Sequence, residues 1–385
     1  MYIYRSRLSG LLAEQTPLNT CEGPGQERAG PPPDSTSARF VPAHSNRWCS
    51  FQNQPNSDTC RPITTWPRRI CRVVIHTLAG LGTRTESAAQ RQIRAWVAQP
   101  TGEGKSAHYI IDRDGAITQM VREANVAFHA RPYNQNSIGI EHADICNDSA
   151  PYTTLLYERS AALVREIASF HGFAIKVFGI DTNNIQEATV IGHSDLVPGH
   201  HSDPGPYWDW EYYRRLLLWD GRTPSTRPIR LVAMAASSPR PPSGWAAAGR
   251  RQIANAFCAG PRDPYGSRFW RTRPSASGTP AMLSVNLPEA GLYKVSLWWP
   301  RVAGANPAAP VDIQVVSPFS PSSQSITVDQ RTRFGRWNDV GAQLTVTMVP
   351  ARVDVFIRRD TERVRRGERD TGFILADAMR LLRIA

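Results

Sequence analysis

Within residues 191–210 the chain carries His193, His200 and His201 together with Asp195, Asp203 and Asp209, set among Gly and Pro. This stretch follows the apolar run at 188–191 and includes Asp203-Pro204-Gly205-Pro206. A strand that opens into a loop stiffened by Pro and Gly suits metal ligation, because the backbone is fixed before an ion arrives. A zinc hydrolase needs a few neutral imidazoles or carboxylates as ligands, with one coordination position left for water. His76 closes a β-branched run and is followed by small residues, so it is a candidate ligand from elsewhere in the chain. His193 is the second candidate, at the end of another strand. Asp203 is the third, although His200 and His201 compete for that role on residue type alone. Glu141, at the end of the run 137–141, is the natural carboxylate base. Bound zinc lowers the pKa of water to about 7, and a nearby Glu takes the proton as hydroxide attacks a carbonyl. Residue types and spacing therefore point to a metal-dependent hydrolase.

Those groups need a scaffold, and the hydrophobic pattern supplies one. Strands are expected at 72–77, 106–112, 116–121, 136–142 and 188–191, with Asp112-Arg113-Asp114-Gly115 as a hairpin turn. That turn resembles the start of a calcium loop, but the later ligands are missing. Amphipathic helices are expected at 86–98, 153–170 and 208–218. Strands alternating with helices predict an α/β (α+β) domain over 66–220, a central mixed β-sheet flanked by helices. Residues 1–65 are rich in Pro and Ser and should order only where they pack on that domain. Pro-rich residues 221–247 read as a linker. Beyond it, alternating runs at 282–287, 293–299, 311–316, 343–348 and 353–357 predict an all-β sandwich over 248–385.

The order of the motifs adds specificity. Val74-Ile75-His76-Thr77, the run from Ser106 to Gly115, Ala127-Phe128-His129-Ala130, Ser137-Ile138-Gly139-Ile140-Glu141 and Gly192-His193 through Asp203-Pro204-Gly205-Pro206 occur in succession. Together they resemble the type-2 N-acetylmuramoyl-L-alanine amidases, the zinc family that includes phage lysozymes and peptidoglycan-recognition proteins. The resemblance covers about residues 66–218. It implies cleavage of the amide between N-acetylmuramic acid and L-alanine in peptidoglycan, with Zn2+ held by His76, His193 and Asp203 and with Glu141 as acid/base. It also implies that His129, Asn136 and Phe128 line the substrate groove, and that His108 is not a ligand. Two departures stand out. Many members carry Lys two residues before the ligand Asp, where His201 stands here; an imidazolium can serve the oxyanion, but its charge depends on pH. Phe128 replaces the usual Trp and loses an indole donor. A non-catalytic peptidoglycan-recognition protein is the alternative implied function.

The C-terminal half carries a second resemblance. Thr327-Val328-Asp329-Gln330-Arg331, the run from Gly335 to Gly341 and the run from Gly372 to Arg380 are similar to the golvesin or xanthan-lyase type of accessory β-sandwich, which implies a non-catalytic glycan-binding module. Tyr293, Trp298, Trp299 and Trp337 offer rings for stacking on sugars, but aromatics at alternating strand positions usually face inward. Charge separates the halves. Residues 221–385 hold 24 Arg and Lys against 11 Asp and Glu, out of 45 and 33 in the whole chain. The first 220 residues therefore hold 21 against 22, close to neutral. The basic half should prefer an anionic wall polymer; for nucleic acid no reader motif is present.

Hydrophobic content of 41% and charged content of 20% exclude a disordered chain. No apolar run approaches the roughly 20 residues of a transmembrane helix. A wall substrate predicts a secreted or periplasmic protein. The first 15 residues make a poor signal, so a phage-type or non-standard release is the competing expectation. Cys21, Cys49, Cys60 and Cys71 cluster early, which is compatible with one or two disulfides or with buried thiols.

Overall fold

The computed structural model describes residues 24–50, 52–53, 67–78, 86–102, 104–143, 152–237, 240–249, 265, 268–272, 278–358 and 372–385. The expected signal stretch, Cys21, Cys60, Trp66 and the small residues after His76 lie outside the described residues. In chain order the first half comprises β1 (Ala38–Phe40), β2 (Trp48–Cys49), β3 (Arg72–Thr77), α1 (Ala88–Val97), β4 (Tyr109–Ile111), β5 (Ile117–Gln119), β6 (Val126–Ala127), β7 (Ser137–His142), α2 (Thr154–His171), β8 (Val190–Gly192), the single turn α3 (His193–Leu196) and α4 (Trp210–Leu218).

Six strands form one sheet in the order β1-β5-β4-β7-β3-β8. β4, β7, β3 and β8 are parallel, whereas β5 returns antiparallel to β4 through the predicted turn. The sheet is therefore mixed, as expected. Residues of β3 and β7 are buried on both faces, which explains their near-continuous apolar runs. On one face Val73, Ile75, Ile138 and Ile140 pack with residues of α2 and α4. On the other, Val74 packs with Ala130, Tyr133, Ile191 and Leu196. Side chains alternate along a strand, so His76 falls on the Val74 side. The β3–β7 register places His76 directly opposite Glu141.

Local chemistry sets the helix ends. Ser87 and Gln90 form a capping box on α1, and the Thr153 hydroxyl accepts from Leu156 N at the start of α2. Gly172 ends α2 at φ 72°, a left-handed position that glycine adopts without penalty. The N-terminal segment orders where it packs: β1 adds a parallel edge to β5.

The second half comprises β9 (Arg230–Met234), β10 (Trp245–Gly249), β11 (Arg268–Thr272), β12 (Ala281–Leu287), β13 (Gly291–Trp298), β14 (Ala309–Val316), β15 (Ser322–Val328), β16 (Asn338–Val346), β17 (Ala351–Ile357), β18 (Leu375–Ala376) and β19 (Ala378–Arg383). Sheets β12-β17-β14-β15 and β16-β13-β19-β9 share an apolar core that includes Leu283, Val295, Val311, Ile313, Val353 and Leu381. This is the expected all-β sandwich, with a small sheet β10-β11-β18 beside it. Tyr293 and Trp299 face this core, as strand alternation predicts, whereas Trp298 points to the opposite face and is buried in the cluster shared with the first half.

The linker expected at 221–247 needs correction. β9 lies inside it and pairs antiparallel with β19, the last strand, from Arg230↔Leu382 to Met234↔Ala378. Prolines bracket this strand without interrupting it, so the edge of the sandwich begins at Arg230, well before 248. The two halves are joined by a continuous apolar cluster in which Tyr207, Trp208 and Tyr212 pack with Tyr265, Trp298, Ala378 and Leu382. Beside it the buried Asp209 carboxylate, which also caps α4, accepts from Arg230 Nε at 2.9 Å and Arg380 Nη1 at 2.6 Å.

Candidate metal centre

Among the described residues, His76, His193 and Asp203 offer ligating atoms that all lie within 4.8 Å of one another. His76 comes from the C-terminal end of β3, and His193 is the first residue after β8. Asp203 returns at the end of the loop. In open α/β sheets ligands gather at these carboxyl ends of parallel strands. Asp203 Oδ2 is 3.0 Å from His76 Nδ1, and Asp203 Oδ1 is 3.2 Å from His193 Nδ1. The loop is held shut by Ser194 N donating to Asp203 O at 2.8 Å and by Tyr152 OH donating to Pro204 O at 2.7 Å. Gly192 lets the strand end pass closely: a Cβ there would lie 3.0 Å from Pro204 and 3.2 Å from the Trp210 ring.

The electrostatics match ligation. Burial, reinforced by neighbouring His193, pulls the His76 pKa down to about 4, which keeps the ring neutral. Burial alone would raise the Asp203 carboxyl, but hydrogen bonds with His193 and His76 outweigh it and hold the group well below the usual carboxylate range. His193 Nε2 is buried with no partner among the described residues. A neutral His76 imidazole, the His193 ring and the Asp203 carboxylate are a donor set that fits Zn2+.

Around this trio the other predicted residues sort clearly. Glu141 stands beside His76, and burial together with the Asp203 charge pushes its pKa up to about 8. One of its oxygens, Oε2, is buried without a partner. The His201 ring stacks on His193 at 3.6 Å, and burial and His193 lower its pKa. His200, its rival on residue type, is exposed. Lys105 was not legible in the sequence, where nothing marks a Lys in the turn before β4. Its ammonium acts on both Glu141 and His201, lowering the pKa of each.

The three residues expected to line the groove are placed differently. His129 Nδ1 is 3.0 Å from His76 Nε2, so it orients a ligand ring from behind. Its ring lies flat against Gly139, where a Cβ would come within 2.5 Å of His129 Cγ. Phe128 is 5% exposed and packs with Cys49 and Val126, so its ring is core rather than groove wall. Asn136 precedes β7, at the opposite end of the strand from Glu141. Five steps along the strand separate them by roughly 16 Å. Its carbonyl accepts from Cys71 N at 3.1 Å, away from the metal trio. His108 is fully buried between Gly139 N, Asn125 O and Arg68, as a structural residue. Cys49 and Cys71 are both disulfide-bonded.

The family model for N-acetylmuramoyl-L-alanine amidase matches residues 66–206, the segment that holds all of these groups. N-acetylmuramoyl-L-alanine amidase A of Achromobacter lyticus is 31% identical over 199 residues, covering 50% of this chain and 99% of that protein. The 1,6-anhydro-N-acetylmuramyl-L-alanine amidase AmpD of Escherichia coli is 32% identical over 120 residues, covering 29% of this chain and 58% of its own length. Among solved structures, a selenomethionine derivative of AmpD aligns at TM-score 0.32 with 22% identity, over 48% of this chain and 96% of that one.

Proposed function

The chain belongs to the N-acetylmuramoyl-L-alanine amidase family, and on that premise we propose that it hydrolyses the amide between N-acetylmuramic acid and L-alanine in peptidoglycan. The observation that carries the reading is the convergence of His76, His193 and Asp203 with Glu141 set directly opposite His76. His76, His193 and Asp203 would hold Zn2+, which supplies a Lewis acid and a water acidified to a pKa of about 7. Glu141 moves the proton. The carboxylate accepts the proton of the attacking water and returns it to the departing amide nitrogen. His201 donates to the developing oxyanion, and Lys105 adds positive potential at the same rim. His129 holds His76 in one ring orientation and one tautomer.

The sandwich is assigned as a golvesin or xanthan-lyase type accessory module, supported by its motifs and its all-β architecture. Its arginine surplus favours an anionic wall polymer. Secretion to the periplasm or wall is favoured by the disulfides at Cys49 and Cys71, which persist in oxidising compartments.

The test is release of new N-terminal alanine from purified sacculi. Wild type should release it, lose activity with a chelator, regain it with zinc and lose it in Glu141→Ala. Tight sacculus binding without release would instead establish a recognition protein.

A further inference from the structure

Beside the metal loop lies a cleft of about 650 Å³ walled by both halves of the molecule, within the roughly 300–1,000 Å³ typical of ligand sites. The first half contributes Trp208, Trp210 and Asp195; the sandwich contributes Arg336, Trp337 and Asp339. Ser194 and Ser202, which adjoin the ligands His193 and Asp203, also reach it, so the cleft is continuous with the metal loop. Three buried donors on its lining have no acceptor among the described residues: Trp208 Nε1, Trp337 Nε1 and Arg380 Nε. Trp210 and Trp337 are half-buried, while Arg336 and Asp339 stand exposed at the rim.

The chemistry of that lining selects a ligand class. Indole faces suit a ring that is apolar above and below, and the exposed Arg336 and Asp339 side chains suit hydroxyl or amide groups around its edge. Carboxylates and guanidinium groups balance one another: Glu211 and Asp339 both engage Lys294, and Glu211 also engages Arg380. A polyanion or an acyl chain finds no match there. We propose that this cleft is a saccharide subsite, taking an N-acetylhexosamine unit of the glycan strand that carries the scissile amide. The assignment of that sugar to the substrate rests on the amidase reading. The sandwich then completes the substrate site in addition to tethering the enzyme.

The probe is the N-acetylglucosamine tetramer, titrated into full-length Glu141→Gln protein and followed by tryptophan fluorescence and calorimetry. The expected result is saturable binding that quenches fluorescence and weakens at least about fivefold in both Trp337→Phe, which keeps the packing but loses the donor, and Arg336→Ala, at an exposed position. Absence of binding, or equal binding in both variants with unchanged near-ultraviolet circular dichroism, overturns the subsite. Because the titration requires no turnover, its failure is separate from failure of alanine release by the wild type.

Discussion

At the scale of single residues the chemistry turns on Glu141. In chelated protein its folded pKa is about 8 against an ordinary 4.5, so the folded state keeps a proton that the unfolded chain releases. The residue's contribution to stability is therefore present below about pH 4.5 and declines as pH rises through 8. Glu141→Gln should abolish turnover yet make the chelated protein more stable than wild type at about pH 8, by on the order of 4 kcal/mol, with the difference vanishing near pH 4. Denaturant melts at both pH values read this, and parallel curves would refute the buried acid. His201 gives the second prediction. Its lowered pKa leaves little imidazolium at neutrality, whereas Lys keeps its charge. His201→Lys should raise kcat/KM about tenfold at and above neutral pH and move the fall in rate caused by loss of the imidazolium, which lies below neutrality, into the alkaline range of Lys. Superimposable pH profiles would remove His201 from the oxyanion role. The convergence of His76, His193 and Asp203 was legible only through the order of the motifs, because on residue type His200 and His201 competed for the third place. Asn136 and Phe128 were misplaced because residue types in a motif carry no distance. Only the rise of β7 shows Asn136 at the wrong end, and only packing shows Phe128 to be core.

At the scale of elements, β7 is shaped by a ring outside it. Gly139 leaves the space in which His129 lies, and His129 in turn touches His76. Gly139→Ala should push that ring off His76 and weaken metal binding by about 10- to 100-fold, the range for losing a partner of a ligating histidine. Competition against a chromophoric chelator measures this, and unchanged affinity would show that His129 does not position the ligand. Most strands were readable from alternation, as in β12, where burial switches residue by residue over its first four positions. Two were not. β15, Ser-Ser-Gln-Ser-Ile-Thr-Val, is almost wholly exposed at a sheet edge and has no apolar face to read. β9 hides between prolines, in a composition that signals a linker.

At the scale of the whole molecule, the halves share one apolar cluster and one buried charge site. Asp209 accepts from arginines of β9 and β19 while capping α4, so its removal leaves buried Arg230 without its carboxylate and Arg380 with Glu211 alone. Asp209→Ala should cost about 3–5 kcal/mol and lower the melting temperature of both halves together. Two separate calorimetric transitions in the wild type would contradict that coupling. The pairing of β9 with β19 also has a consequence for biosynthesis. β9 leaves the ribosome immediately after the amidase half, but Ala378, the partner of Met234, emerges 144 residues later. At about 5–20 residues per second, that interval is on the order of 10 s. The nascent chain thus completes its hydrolytic half early, then carries an unmatched strand until β19 emerges and closes the sheet.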